Sequence, residues 1–299
     1  MLENLIAKEN FAKINCLLDS QKLFTKKYIG KVRDTYDLGD YLLIATTDRL
    51  SAFDRQITAI PFKGEVLNRL SAWWFGKTQH IIGNHFVKLL NANMALVKKC
   101  KVFPVEVVVR GFLTGSTNTS IWVNYANGQR NFCGTLLPDG LEKNCALNHA
   151  IITPTTKSDV HDAPITAGEI IDNNLMTQNE WNFISGKALE LFIFGQNVAR
   201  GRGLILVDTK YEFGKDKDGN ILLVDEMHTP DSSRYWDART CADLIAKGKE
   251  PDNFDKEVVR LWLKDNFDPY GTDVIPQIPL ELVMKTSNLY KKIYHVLTD

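Results

Sequence analysis

Residues 204–234 read LILVDTKYEFGKDKDGNILLVDEMHTPDSSR, two apolar runs interrupted by charge where a hairpin is normally neutral. The runs flank Asp218-Gly219, and an Asp-Gly between strand-like segments is the strongest short-range signal for a two-residue hairpin turn. With those two residues as the turn, the register sets Glu212 opposite Asp225. Directly opposed residues of an antiparallel pair share a face with Cβ atoms roughly 4.5–5.5 Å apart, so two carboxylates would stand side by side. Alternation puts Asp208, Lys210 and Glu212 on one face of the first strand and Val207, Thr209, Tyr211 and Phe213 on the other.

Opposed carboxylates destabilise a hairpin unless a cation lies between them. Mg²⁺ beside a nucleotide is commonly held by two carboxylates, with water and phosphate oxygens completing an octahedron. The competing reading is a solvated hairpin whose acids face water beside lysines. A calcium loop is excluded, because its first ligand position would be Gly214 and the flanks are strands rather than helices.

The composition narrows the function class. With 299 residues the chain has room for a large core and two domains. Lys plus Arg equals Asp plus Glu at 36 each, so no net field draws it to nucleic acid or an anionic membrane. The five cysteines, Cys16, Cys100, Cys133, Cys145 and Cys241, are widely spaced with no C-x-x-C pair, which speaks for reduced thiols and a cytoplasmic protein. No run approaches the roughly 18 apolar residues of a membrane helix, and the acidic start is unlike a signal peptide.

Other clusters follow in chain order. Residues 1–24 suit a short amphipathic helix. KKYIGKVRDTYDL then reads as the first strand of a hairpin, and Gly30 with Lys31 and Arg33 could pass close over phosphate oxygens or simply form a solvated edge. The run TDRLSAFD, with Ser51 and Asp54, is either a ligand-contacting strand end or a capped turn. VFPVEVVVRGFLTGS is a buried-type strand ending in Arg110, followed by Gly115-Ser116. A forked cation, free N–H groups and a hydroxyl suit a phosphate monoester, although Arg110 could equally pair with an acid across the sheet. His161-Asp162 could orient a substrate amine or carboxylate, or mark a surface turn. An amphipathic helix is expected over 177–200, Thr229 to Trp236 reads as a polar turn with Arg234 poised for an anion, and three helices end the chain.

Taken together, GKVRDTY, DRLSAFD, VFPVEVVVRGFLTGS, VDTKYEFG and VDEMHTPDSSRYW resemble, in the same order and over residues 25–240, the SAICAR synthetase (phosphoribosylaminoimidazole-succinocarboxamide synthase) family in its longer form. The resemblance implies an α+β, SAICAR synthase-like fold. Residues 1–112 would form a β-rich nucleotide lobe like the N-lobe of a protein kinase, and residues 113–299 an ATP-grasp-like domain with C-terminal helices. It implies an ATP-dependent ligase of purine biosynthesis that acts on small molecules, and the cytoplasmic location read from the cysteines and a monomeric state are expectations that stand beside it. L-aspartate would be joined to carboxyaminoimidazole ribonucleotide (CAIR), with ATP and Mg²⁺ as cofactors. It also implies residue roles. Gly30, Lys31 and Arg33 would cover the ATP phosphates, and Glu212 and Asp225 would hold Mg²⁺. Lys210 would neutralise charge in the nucleotide site. Arg110, Ser116 and Arg234 would take the ribonucleotide phosphate, with Asp231 on its imidazole side. Ser51 and Asp54 would line the nucleotide and aspartate side, and Asp162 would serve substrate binding.

Overall fold

The computed structural model describes residues 27–53, 55–157, 163–271 and 274–299. The helix expected over residues 1–24, and Asp54, His161 and Asp162, lie outside the described residues. The chain is α+β and forms two compact units.

The unit that holds the central hairpin comprises residues 74–84 and 100–257. Its seven-stranded sheet is organised on one long strand, Leu204–Lys215. Along one edge this strand pairs with Val105–Phe112 and then Lys101–Val102. Along the other it pairs with Ser233–Asp237 and then Ile221–Val224. Every pairing is antiparallel. The helix Gln178–Gly201 opens on a Thr177-Glu180 capping box and buries Trp181, Ile184, Ala188, Leu191, Phe192, Gly195 and Ala199 at helical spacing. Gly111 lets this helix approach the sheet closely, since a Cβ there would lie 3.0 Å from Nε2 of Gln196.

The hairpin register differs from the expected one by a single residue. Glu212 pairs with Val224, not Asp225. The turn is wider than Asp218-Gly219 alone. Asp216 N donates to the Asn220 carbonyl, and the Asp216 carboxylate accepts the N–H groups of Asp218 and Asn220. Gly219 is left-handed at φ 84°, the form of a three-residue loop. The Asx-type bonds of Asp216 thus outcompete a tight two-residue turn. A second correction concerns residues 229–236. The polar turn stops at Ser232, and Arg234 sits within a strand.

The other unit comprises the described residues up to 73 together with 85–99 and 258–299. Its five-stranded antiparallel sheet runs Lys27–Ile29, Arg33–Asp37, Tyr41–Thr46, Met94–Lys98, Phe86–Leu89. The single first strand expected across Gly30 is instead two short strands paired with each other, because Gly30 N donates to the Arg33 carbonyl and turns the chain. The helix Leu280–Thr298 buries Tyr290 against Val66 and Leu67, and Ser287 Oγ donates to the Pro61 carbonyl at 2.7 Å. Val259, Leu263, Ile278 and Val283 pack with Leu50 and Ile60. The division therefore departs from the single boundary expected after residue 112. Hydrogen bonding places Val105–Phe112 in the hairpin unit, and apolar burial places the last two helices, Glu257–Asn266 and Leu280–Thr298, mainly in the other. Among the described residues Cys100, Cys133, Cys145 and Cys241 are free thiols, and no helix is long and apolar enough to cross a membrane.

Candidate active site

The ionic face of the central strand forms two adjoining clusters. At Lys210, Nζ lies 2.5 Å from Glu212 Oε1, 3.1 Å from Asp225 Oδ2 and 3.3 Å from Glu106 Oε1. Lys157 pairs with the second carboxylate oxygen of Glu212. The Glu212 side chain is only 5% exposed, so the solvated-hairpin reading fails for it. Burial by itself would lower the Lys210 pKa. The carboxylates of Glu212, Asp225 and Glu106 outweigh that penalty and hold the ammonium well above the ordinary lysine range. Although Glu212 and Asp225 are not cross-strand partners, they meet at one cation. The strand ends at Val224 and the left-handed Asp225, at φ 64°, breaks the side-chain alternation.

One alternation back, Asp208 stands between two arginines. It is the cross-strand partner of Arg110 on one side and of Arg234 on the other. Arg110 Nη1 lies 3.6 Å from Asp208 Oδ2, and its Nε donates to Thr153 Oγ1 at 2.7 Å. Arg234 Nη1 donates to the same aspartate oxygen, and its Nη2 is 3.3 Å from Glu257 Oε2. Burial opposes the charge on Arg234, but Asp208, Glu257 and Asp255 overcome it and raise its pKa. For Arg110 burial wins and the pKa falls, with Asp208 offsetting part of the loss. The pairing of Arg110 with an acid across the sheet is therefore present. A guanidinium carries five N–H donors, so phosphate binding remains open to both arginines.

Gly115 explains how the loop after Val105–Phe112 comes down on Arg234. Its φ is 111°, and a Cβ there would lie 2.5 Å from Ser120 Cβ and 3.6 Å from Arg234 Nη2. Ser116 follows and is buried. Asp231 N donates to Thr229 Oγ1 at 3.2 Å, and Lys256 Nζ lies 4.0 Å from Asp231 Oδ1.

Gly30, Lys31, Arg33 and Ser51 belong to the other unit. A Cβ on Gly30 would fall 2.9 Å from the Arg33 carbonyl, so this tight turn requires glycine. The turn is held by Arg49. Its Nη2 donates to the Gly30 carbonyl at 3.1 Å and to Asp34 Oδ1 at 2.7 Å, and its Nε to the Lys31 carbonyl at 3.4 Å. Thr47 Oγ1 donates to the Val32 carbonyl, and Asp48 Oδ1 accepts the Gly64 N–H. The Thr47-Asp48-Arg49 cluster is thus a buried scaffold for the glycine turn. Ser51 is buried in the strand Arg49–Ala52.

Glu106, Lys157, Asp208, Lys256 and Glu257 join these clusters although sequence reading assigned them no role. Glu106 was legible by alternation, since it shares a face with Arg110, and Asp208 by its place beside Lys210. Lys256 and Glu257 gave no local signal, because tertiary packing alone brings them to Asp231 and Arg234. Among the described residues no group of three or more His, Cys, Asp or Glu side chains is placed to hold a metal. Two carboxylates converging on one positive centre nonetheless match the donor set of Mg²⁺, which takes one or two acids and fills its octahedron with water and phosphate oxygens.

Comparison with known proteins fits this geometry. Residues 26–276 match the sequence pattern of SAICAR synthetase. The phosphoribosylaminoimidazole-succinocarboxamide synthase of Legionella pneumophila (strain Lens) is 53% identical over 283 residues, covering 95% of this chain and 91% of that protein. The chloroplastic enzyme of that name from Arabidopsis thaliana is 54% identical, covering 95% of this chain and 70% of its own. Among solved structures, SAICAR synthase from Saccharomyces cerevisiae complexed with SAICAR superposes with TM-score 0.75 at 31% identity, covering 98% of both chains. A SAICAR synthetase in complex with ADP does so with TM-score 0.70 at 27% identity, covering 91% of this chain and 97% of its own. By sequence and by fold, this chain belongs to the SAICAR synthetase family.

Proposed function

We propose that the chain condenses L-aspartate with carboxyaminoimidazole ribonucleotide, cleaving ATP to ADP and phosphate. The observation that carries this reading is a single strand face holding Asp208 between Arg110 and Arg234, followed at once by Lys210 among Glu212, Asp225 and Glu106. The first cluster suits a phosphate monoester and the second a nucleotide polyphosphate, and a ribonucleotide ligase needs both. Two relatives were solved with SAICAR and with ADP, which fits that pairing.

A carboxylate is a poor electrophile. In the proposed sequence a carboxylate oxygen of the ribonucleotide attacks the γ-phosphorus of ATP, ADP leaves, and an acyl phosphate forms. The aspartate amine then attacks the acyl carbon, phosphate departs, the amine loses a proton, and the amide remains. Such transfer calls for positioning and charge stabilisation rather than a protein nucleophile. Glu212 and Asp225 would hold Mg²⁺, which would draw the phosphate oxygens together and offset their charge. Lys210, kept protonated by its three acids, serves the same charge balance. Arg110, Ser116 and Arg234 bind the ribonucleotide phosphate, Asp231 takes its imidazole side, and Gly30, Lys31 and Arg33 take the ATP phosphates. Ser51, Asp54 and Asp162 are assigned to the nucleotide and aspartate. A monomeric state and a cytoplasmic location are part of the same proposal, the latter supported by the free thiols of Cys100, Cys133, Cys145 and Cys241.

The acyl phosphate is tested by labelling the ribonucleotide carboxylate with a heavy oxygen isotope. One labelled oxygen is expected in the released phosphate. Phosphate free of label would exclude this route.

A further inference from the structure

The connection from Ile221–Val224 to Ser233–Asp237 carries both Asp225 and Asp231. It contains two left-handed residues that are not glycine, Asp225 at φ 64° and His228 at φ 50°. Such backbone persists only where its surroundings over-determine it. The hairpin register does not bring Asp225 to Lys210, because Glu212 faces Val224. Some other contact must hold the turn.

His228 supplies it. The residue is fully buried, and its ring stands edge-on to Trp74 with centroids 4.7 Å apart. Its Nε2 is 2.5 Å from the hydroxyl of Tyr211, and its carbonyl accepts the Tyr235 hydroxyl at 2.8 Å. The helix Gln178–Gly201 leaves the ring no slack, since a Cβ on Gly195 would lie 2.3 Å from His228 Cε1. Met227 and Thr229 on either side are also fully buried. Thr229 Oγ1 donates to Glu226 Oε2 at 2.6 Å and accepts from Asp231 N. Tyr211 sits between Lys210 and Glu212 in sequence and points to the opposite face of the strand. The hydrogen bond through the sheet therefore ties the strand carrying Lys210 and Glu212 to the connection carrying Asp225.

We infer that the Tyr211-His228 hydrogen bond is a positioning device, which holds the left-handed turn that brings the Asp225 carboxylate to Glu212 and so sets the affinity of that pair for a divalent cation. The inference rests on the metal reading above, and neither Tyr211 nor His228 touches the reacting groups.

The test is titration of the full chain with Mn²⁺ in the presence of ADP, followed by electron paramagnetic resonance. Tyr211→Phe removes the hydroxyl and keeps the ring. It is expected to weaken Mn²⁺ binding ~10-fold, the usual scale for losing a partner that orients a metal ligand. The KM for the ribonucleotide, which depends on Arg110 and Arg234, should stay unchanged. Gly195→Ala presses a methyl group on the His228 ring from another element and should weaken Mn²⁺ in the same way. It carries the test if Tyr211→Phe does not fold. Parental Mn²⁺ affinity in a folded variant would overturn the inference. So would equal losses in Mn²⁺ affinity and ribonucleotide KM, which would mark a general loosening. A parent chain that binds no Mn²⁺ with ADP would instead remove the metal reading, and the inference with it.

Discussion

Glu212 is held by two lysines, Lys210 and Lys157, and lies almost wholly out of water. Its loss therefore removes a partner from Lys210 rather than relieving repulsion between acids. Glu212→Gln should lower kcat by at least ~100-fold, the scale of losing one preorganised electrostatic contact. It should also destabilise the fold by about 1–3 kcal/mol, because a polar group with a lost partner bears its desolvation cost. Steady-state rates and urea midpoints on the same sample check both effects. His228 gives a second prediction at this scale. Burial lowers its pKa from 6.5 to about 3, so the fold requires the neutral ring. The unfolded chain binds a proton that the folded chain refuses between those values. Stability from this residue is thus complete above the ordinary histidine pKa and is lost as pH falls toward 3, at about 1.4 kcal/mol per unit. Urea titrations at pH 6.5 and 4.5 should show the parent losing about 2.3 kcal/mol more than His228→Leu. Equal losses would mean that the ring finds a partner for its charge.

At the scale of elements, the hairpin and the glycine turn were legible to different degrees. Alternation along 204–215 identified the ionic and apolar faces from sequence, because a strand's period of two leaves no freedom once the strand is recognised. The register was missed by one residue. Asp-Gly is a strong turn signal, but the carboxylate of Asp216 captures two backbone N–H groups and widens the loop, a competition that pair statistics do not contain. The convergence of Glu212 and Asp225 was anticipated for a reason the structure replaces with the left-handed turn at Asp225. Around Gly30 the sequence showed the glycine and its cations but not their support. Arg49 is 5% exposed and Asp34 fully buried, and their bond at 2.7 Å underlies the turn. Arg49→Met should therefore cost about 3 kcal/mol, as expected when one partner of a buried ion pair is removed. Denaturant unfolding measures it, and a loss below 1 kcal/mol would show that the turn stands without this support.

For the whole molecule, family membership was readable from five ordered motifs, and the division of the chain was not. Motifs are local strings, whereas the compact units are assembled from distant segments. The helix Leu280–Thr298 completes the core that begins at Val66 and Leu67. Its amphipathic pattern announces a buried face without naming the partner. The same limit hid Lys256 and Glu257, which reach Asp231 and Arg234 through tertiary packing. The helix Leu280–Thr298 is accordingly structural, and truncation before Leu280 should expose Leu67 and abolish cooperative unfolding. A truncated chain that unfolds with the parent's midpoint would contradict this.

The central claim is that one strand face serves a phosphate monoester and a nucleotide in a single condensation. Its most direct test is ADP release by the purified chain with Mg-ATP and carboxyaminoimidazole ribonucleotide, with and without L-aspartate, while the product is followed by mass. The account predicts ADP in step with a product whose mass is that of the aspartate amide, and product formation only when aspartate is present. ADP formation independent of aspartate, with no amide, would contradict it.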